Sequence, residues 1–286
     1  MELYEREFFL SRILSDHDRI KINNKIYKIK NPSLDILYEA NEIFNDVFNE
    51  AKNEELYFDH DIYALLVSEG WWTKEKEIEL KETLPELIYD FQKLMFQSAF
   101  RETECELNRS HLLKTRQRLN DLYRIRHKFD HYTCHGLASY AKYHFIIENT
   151  TYDLNNNLVD WMSFPVSMAI EECDKNAISV ESIRELSHTL PWSNQWNAIK
   201  GLGNIFNKQG VELTNAQQTL LMYSKMYDNI NESPDCPDDF IIEDDDLLDG
   251  WILTQKEIRD KEQRVRGDYK TITRTGICNP AEGKPL

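Results

Sequence analysis

Three histidines stand four residues apart at His127, His131 and His135, and imidazole nitrogen is a common ligand of divalent transition metals. On a single helix, residues four apart lie near one face, so the three rings would point in the same direction. Because each four-residue step rises about 6 Å along the axis, three such ligands cannot all reach one ion. The spacing therefore leaves two interpretations open: a metal-dependent enzyme that adds a ligand from elsewhere, and a set of structural or surface histidines.

An acidic run near the end of the chain offers a second kind of chemistry, because clustered carboxylates bind calcium or magnesium. Its spacing does not match a calcium loop, since Gly250 is the seventh residue from Asp244 instead of the sixth. Apolar residues alternate with the acids, a pattern typical of a segment that docks on a partner while its carboxylates meet arginine or lysine. The alternative is a solvated acidic loop held to its own domain by Trp251. We predict that the partner-binding residues are Ile241, Ile242, Asp244, Asp245, Asp246, Leu248, Asp249 and Trp251.

A basic stretch occupies the middle of the chain, with seven lysines and arginines between Arg109 and Lys128 against one acid, Asp121. Such a stripe with nearby aromatic residues is typical of a nucleic-acid surface. The bases are spread around the predicted helix instead of lying on one face, which favours pairing with the protein's own acids. The opposite local charges in the middle and near the end of the chain are also compatible with head-to-tail self-association.

The composition limits the classes of protein to which the chain can belong. Its 286 residues carry a formal net charge of −16, which argues against a general binder of DNA, RNA or anionic membranes. No run of about 18 apolar residues and no signal-peptide pattern occurs, so we expect an intracellular protein outside the membrane. The five cysteines lack the spacing of a disulfide framework or a zinc ribbon. Only 9 glycines and 8 prolines occur, which disfavours glycine-rich phosphate loops and β folds with many turns.

The elements that must position these residues are predicted to be mostly helices. Alternating isoleucine and lysine on both sides of Asn23 and Asn24 predicts a β-hairpin near residues 19–30. Ser33 is an N-cap before a helical apolar pattern, and Thr214 with Gln217 forms a capping box. We predict a mainly α fold, a multi-helix bundle with a small N-terminal β-hairpin and an irregular acidic C-terminal segment and tail.

Polar, turn-rich stretches between the helical patterns divide the chain into three predicted regions in sequence order. Residues 1–150 form an N-terminal helical domain that includes the hairpin, and residues 158–230 form a C-terminal helical subdomain. Residues 231–286 comprise the acidic docking segment and a charged tail. Within that tail the apolar pattern is lost after Gly267, and we expect residues 267–286 to be disordered or ordered only on a partner.

Four segments of the second half carry a resemblance to a known group of proteins. They read PWSNQW at 191–196, LT with a following glutamine at 213–217, MYDNINESPDCP at 226–237 and EDDDLLDGW at 243–251. Over about residues 180–262 the chain resembles a protein of the structural gene cluster of tailed bacteriophages.

The resemblance implies a non-enzymatic virion structural or assembly protein, of the connector or tail-assembly-chaperone type, in the host cytoplasm or the virion. It implies other phage structural proteins as partners, and brings no catalytic residue and no cofactor. A homo-oligomer is compatible with these expectations. Two alternatives stay open on the residues themselves. They are the metal-dependent enzyme on the His127, His131 and His135 face, and an acidic protein that binds a basic partner.

Overall fold

A computed structural model describes residues 1–15, 17–201, 206 and 213–274, with side chains as far as residue 264. It confirms the mainly α fold with a small antiparallel sheet. The strands are β1 (His17–Ile22), β2 (Lys25–Lys30) and β3 (Thr151–Tyr152). The helices are α1 (Leu3–Leu14), α2 (Leu34–Asn53), α3 (Asp59–Ser68), α4 (Lys74–Ile78), α5 (Leu84–Gln97), α6 (Glu102–Arg126), α7 (Cys134–Thr150), α8 (Val166–Lys175), α9 (Val180–His188), α10 (Trp192–Ile199), α11 (Asn215–Asn231), α12 (Asp239–Ile242) and α13 (Asp245–Arg274).

The chain divides into two compact units, and neither of them is continuous in sequence. Unit 1 comprises residues 1–65 and 128–236, and unit 2 comprises residues 66–127 and 237–286. This division differs from the predicted order of 1–150, 158–230 and 231–286. The polar stretch that predicts a boundary near residue 150 lies inside unit 1, because β3 begins there and pairs antiparallel with β2.

The hairpin at the start of unit 1 has the predicted turn. β1 and β2 pair antiparallel, and Asn23 and Asn24 both have positive φ, at 50° and 63°. Two consecutive residues with φ > 0 are what a two-residue hairpin turn of type I′ requires, and asparagine tolerates this conformation better than most residues do. On β1 the side chains of Ile20 and Ile22 point to the same face and are buried among residues of α7 and α8.

A second core in unit 1 contains Trp192 and Trp196 of α10. Both indoles are buried, and each indole N–H has a partner. Trp192 Nε1 donates to Ser224 Oγ at 2.8 Å, and Trp196 Nε1 donates to the Asp228 carboxylate at 2.7 Å. Because a buried N–H without a partner is costly, these two bonds allow large aromatic side chains to fill the space between α10 and α11.

Unit 2 contains a helical hairpin of α5 and α6, and α13 packs against α5. The prediction of an irregular acidic segment is wrong, since α12 and α13 take up most of it. The carboxylate of Asp244 accepts hydrogen bonds from the backbone N–H groups of Asp246 and Leu247, at 3.0 and 3.1 Å. The acidic run is therefore the start of a helix, where carboxylates satisfy free N–H groups and favour the helix dipole.

The predicted charged tail is helical in its first part. The helical backbone of α13 continues through residues 267–274, which the sequence predicts to be disordered or ordered only on a partner. Residues 275–286 of that prediction lie outside the described residues. Within the described part of the chain, none of the helices has both the length and the apolar character needed to cross a membrane.

We expect Gly250→Ala to destabilise unit 2, because a Cβ atom at this position of α13 would lie 2.1 Å from the carbonyl oxygen of Gln92 on α5. The two helices would have to separate, at a cost of about 1–3 kcal/mol in the free energy of unfolding. Gly201→Ala is the matched control, because open space surrounds that position. Urea denaturation followed by circular dichroism measures both, and equal stability of the two variants would contradict the packing described here.

A pH-dependent contribution to stability is expected from Glu77 in unit 2. Burial by itself raises the pKa of this carboxyl, but hydrogen bonds from Lys81 and the Trp72 indole, with the charges of Lys81 and Arg126, outweigh burial and lower the pKa. Trp72 Nε1 donates to the carboxylate at 2.7 Å and Lys81 Nζ lies 2.6 Å from it. A lowered pKa in the folded state gives stability above the unfolded pKa of about 4.3 that is lost as the pH falls through the folded value.

The stability difference between the wild type and Glu77→Gln should therefore shrink as the pH is lowered from about 6 to about 3. Denaturation curves at several pH values measure this difference. Glu86→Gln removes a carboxylate at an exposed position on α5 and is the matched control. If the stability difference between the wild type and Glu77→Gln stays constant over this pH range, the pKa of Glu77 is not lowered in the folded state.

Candidate functional site

The three histidines of the predicted metal site do not share one helix. His127 follows the last residue of α6, His131 lies in a short 3-10 turn, and His135 is the second residue of α7. The prediction of a single helical face is wrong because α6 ends at Arg126 and a new helix, α7, begins at Cys134. The Thr133 side chain caps α7 by accepting the N–H of Gly136 at 3.0 Å.

Each of these imidazoles has an aromatic neighbour. The ring of His135 meets Phe44 edge to face at 5.3 Å, and the ring centroid of His131 lies 3.9 Å from that of Tyr132. His127 lies against Tyr123 at 4.2 Å. Among the residues that the structure describes, no group of three or more His, Cys, Asp or Glu side chains is placed to hold a metal ion.

The apolar residues of the predicted docking segment are core residues of unit 2. Ile241, Leu248 and Trp251 are buried, with Leu248 fully so, and Ile242 is half-buried. Leu248 and Trp251 are three residues apart on α13 and so lie on one face, which packs inward. These side chains therefore do not form the exposed apolar stripe that the sequence predicts.

The carboxylates of the same segment meet basic and amide groups of their own unit. Arg109 donates to Asp244 at 2.7 Å, and Arg116 donates to both oxygens of Asp246, at 2.6 and 3.2 Å. The Gln92 amide donates to Asp249 at 3.1 Å. The predicted contacts between these acids and arginine thus exist within unit 2 itself, and Asp245 beside them is half-buried.

These ion pairs also account for the basic stretch on α6. Burial by itself lowers the pKa of Arg109, but the hydrogen bond and the charge of Asp244 outweigh burial and raise it, so the guanidinium stays charged. Further along the helix, Arg118 pairs with Glu79 at 2.9 Å. The prediction that these bases pair with the protein's own acids is confirmed for Arg109, Arg116, Arg118 and Arg124.

Two phenylalanines of unit 2 form an exposed aromatic pair. Phe100, in the turn between α5 and α6, is 79% exposed, and Phe240, on α12, is 41% exposed. Their ring centroids lie 5.3 Å apart with the planes at 71°, an edge-to-face contact. We call these two residues the aromatic pair. Single exposed apolar residues are common on protein surfaces, but two large rings that contact each other in solvent form a continuous apolar patch.

Acidic residues flank the aromatic pair along the chain. Asp238, Asp239 and Glu243 are all exposed and lie within three residues of Phe240. The arrangement places an apolar centre next to negative charge, which suits a partner that presents an apolar side chain with basic neighbours. Phe240 is not distinguished in the sequence because it adjoins the apolar Ile241 and Ile242. The one available signal is that Phe240 precedes the buried Ile241 by a single residue and so lies about 100° away from it on the helix.

Unit 1 contains a cavity of about 460 Å³. Arg12 and Asp18 both line it, and they pair with each other at 3.7 Å. Burial raises the pKa of Tyr143 in its wall to about 12. This phenol stays protonated at neutral pH and is not an activated nucleophile.

Comparison of the chain with protein-family models, with curated proteins and with solved structures found no match. The assignment of function consequently depends on the residues described above.

Removing the charge of Asp246 should destabilise unit 2, because Asp246→Asn leaves the Arg116 guanidinium without its bidentate partner. Since Arg116 is partly exposed, water replaces some of the lost interaction, and we expect a loss of about 1–2 kcal/mol in the free energy of unfolding. The control is Glu104→Gln, because Glu104 and its partner Arg101 are both mostly exposed. There we expect the free energy of unfolding to change by less than about 0.5 kcal/mol. Chemical denaturation measures the stability of both variants. An Asp246→Asn variant that is as stable as the wild type would show that the ion pair contributes nothing.

Proposed function

We propose that this chain is a non-enzymatic structural or assembly protein of a tailed bacteriophage, of the connector or tail-assembly-chaperone type, which works through contacts with other proteins. The observation that carries this proposal is the exposed aromatic pair of unit 2. The resemblance of residues 180–262 to a protein of the phage structural gene cluster supports the phage assignment. The partners proposed are the other structural proteins of the same phage.

The aromatic pair has the properties of a binding hot spot. Burying an exposed phenylalanine side chain contributes about 1.5–3 kcal/mol, and aromatic residues dominate the energetics of many protein interfaces. At Phe100 most of the ring surface is available for burial. The aromatic pair therefore offers a partner more binding energy than an equal area of mixed polar surface.

The exposed acids beside the aromatic pair favour a partner with basic residues around its apolar contact. Charge complementarity of this kind speeds association and selects partners. The alternative expectation from the sequence, an acidic protein that binds a basic partner, describes the same contact in terms of charge. Binding that depends on it should weaken at high salt, because exposed charges are screened.

The proposal is tested with the double variant Phe100→Ser/Phe240→Ser, co-expressed with the other structural proteins of the phage that encodes the chain. Loss of two hot-spot side chains should weaken co-purification of the partner at least tenfold, since about 1.4 kcal/mol corresponds to a factor of ten. The matched control is Tyr4→Ser/Phe8→Ser, which removes two exposed aromatic side chains of α1 in unit 1. Circular dichroism establishes that both variants fold.

Two outcomes would overturn the proposal. In one, the wild-type chain co-purifies with none of the other structural proteins and is absent from purified particles. In the other, the Phe100→Ser/Phe240→Ser variant retains the wild-type affinity, so that a different surface makes the contact.

A further inference from the structure

The second part of α13 leaves the packed body of unit 2. As far as Glu257, whose carboxylate lies 2.9 Å from Lys93 Nζ, the helix contacts α5. From Ile258 to Arg264 every residue is exposed, and the helical backbone continues to Arg274. We call residues 258–274 the C-terminal arm. An exposed helical segment is only marginally stable in water by itself, so residues 258–264 gain stability from any surface that covers them.

The C-terminal arm is basic. Residues 258–274 contain six lysines and arginines against three acids, a net charge of +3 within a chain of net charge −16. Glu257, the acid just before the arm, is already paired with Lys93, so it does not neutralise the arm. The arm also carries an exposed apolar side chain, Ile258, at 45% exposure. Around Ile258 the bases Arg259 and Lys261 alternate with the acids Asp260 and Glu262. The net positive charge of the whole arm, together with its exposed apolar residue, is the chemistry that the acidic surroundings of the aromatic pair favour.

The geometry of α13 prevents the arm from reaching the aromatic pair of its own chain. α12, which carries Phe240, ends three residues before α13 begins at Asp245. A helix rises 1.5 Å per residue, so Ile258 lies about 20 Å and Arg264 about 28 Å along the axis from Asp245. Each copy therefore carries a basic arm at one end of a long helix and an acidic aromatic surface at the other end. The two can meet only between copies.

We propose that the C-terminal arm of one copy docks on the aromatic pair of a second copy. The contact joins two different surfaces, so the association is head to tail and continues to a closed ring or an open chain. Ile258 covers the aromatic pair, and Arg259 and Lys261 face the exposed acids Asp238, Asp239 and Glu243. This inference rests on the proposed function, since it names a second copy of the chain as one partner of the same surface.

Sedimentation velocity of the purified full chain, over a range of protein and salt concentrations, tests the inference. The wild type should form species larger than a dimer at low salt and dissociate in about 0.5 M salt, where the Debye length falls to a few ångströms. The arm variant Arg259→Glu/Lys261→Glu and the pair variant Phe100→Ser/Phe240→Ser should each weaken self-association at least tenfold. Lys52→Glu/Lys114→Glu changes the net charge by the same amount as the arm variant at exposed positions elsewhere, and should associate like the wild type.

Mixing the two defective variants gives the most specific readout. The pair variant supplies an intact arm and the arm variant an intact aromatic pair, so an equimolar mixture should form a dimer and stop there. A wild type that stays monomeric at every concentration would overturn the inference, as would arm or pair variants that associate like the wild type. A mixture that remains monomeric would overturn it as well. If the wild type is monomeric and still co-purifies with other phage structural proteins, the inference fails while the proposed function stands.

Discussion

Gly250 brings the backbone of α13 against the carbonyl oxygen of Gln92 at a distance that leaves no room for a Cβ atom. This close approach places Leu248 and Trp251 in the core, and it brings the acids of the first turns of α13 within reach of Arg109 and Arg116 on α6. Apolar burial and ion pairing therefore act on the same few turns. The packing of α13 on α5, and with it the closure of unit 2, depends on this contact between helices.

The sequence predicts those elements whose signals are local. The hairpin is predictable because Asn23 and Asn24 are residues that tolerate the left-handed conformation, and the start of α11 is predictable because Thr214 and Gln217 complete a capping box. The third strand is not predictable by the same means. It has two residues, lies in a polar stretch, and exists only because β2 offers it a free edge.

The candidate site was harder to predict than the fold, because sequence alone does not show which face of a helix is covered. The acidic segment has the composition of a solvent-exposed docking element, yet Asp244 and Asp246 pair with arginines that lie about 130 residues earlier in the chain. The histidine pattern failed for a local reason, since Thr133 caps a new helix between His131 and His135. In both places the deciding contact lies outside the segment that carries the pattern.

The discontinuous course of the chain has a consequence for how the protein folds during synthesis. The helices α5 and α6 are complete by residue 126, but α13, which covers α5, is made about 120 residues later. At a translation rate of about 5–20 residues per second, the apolar face of this helical hairpin stays uncovered for roughly 6–25 seconds. During that interval the nascent chain exposes surface prone to aggregation, and a ribosome-associated chaperone has time to bind it before unit 2 closes.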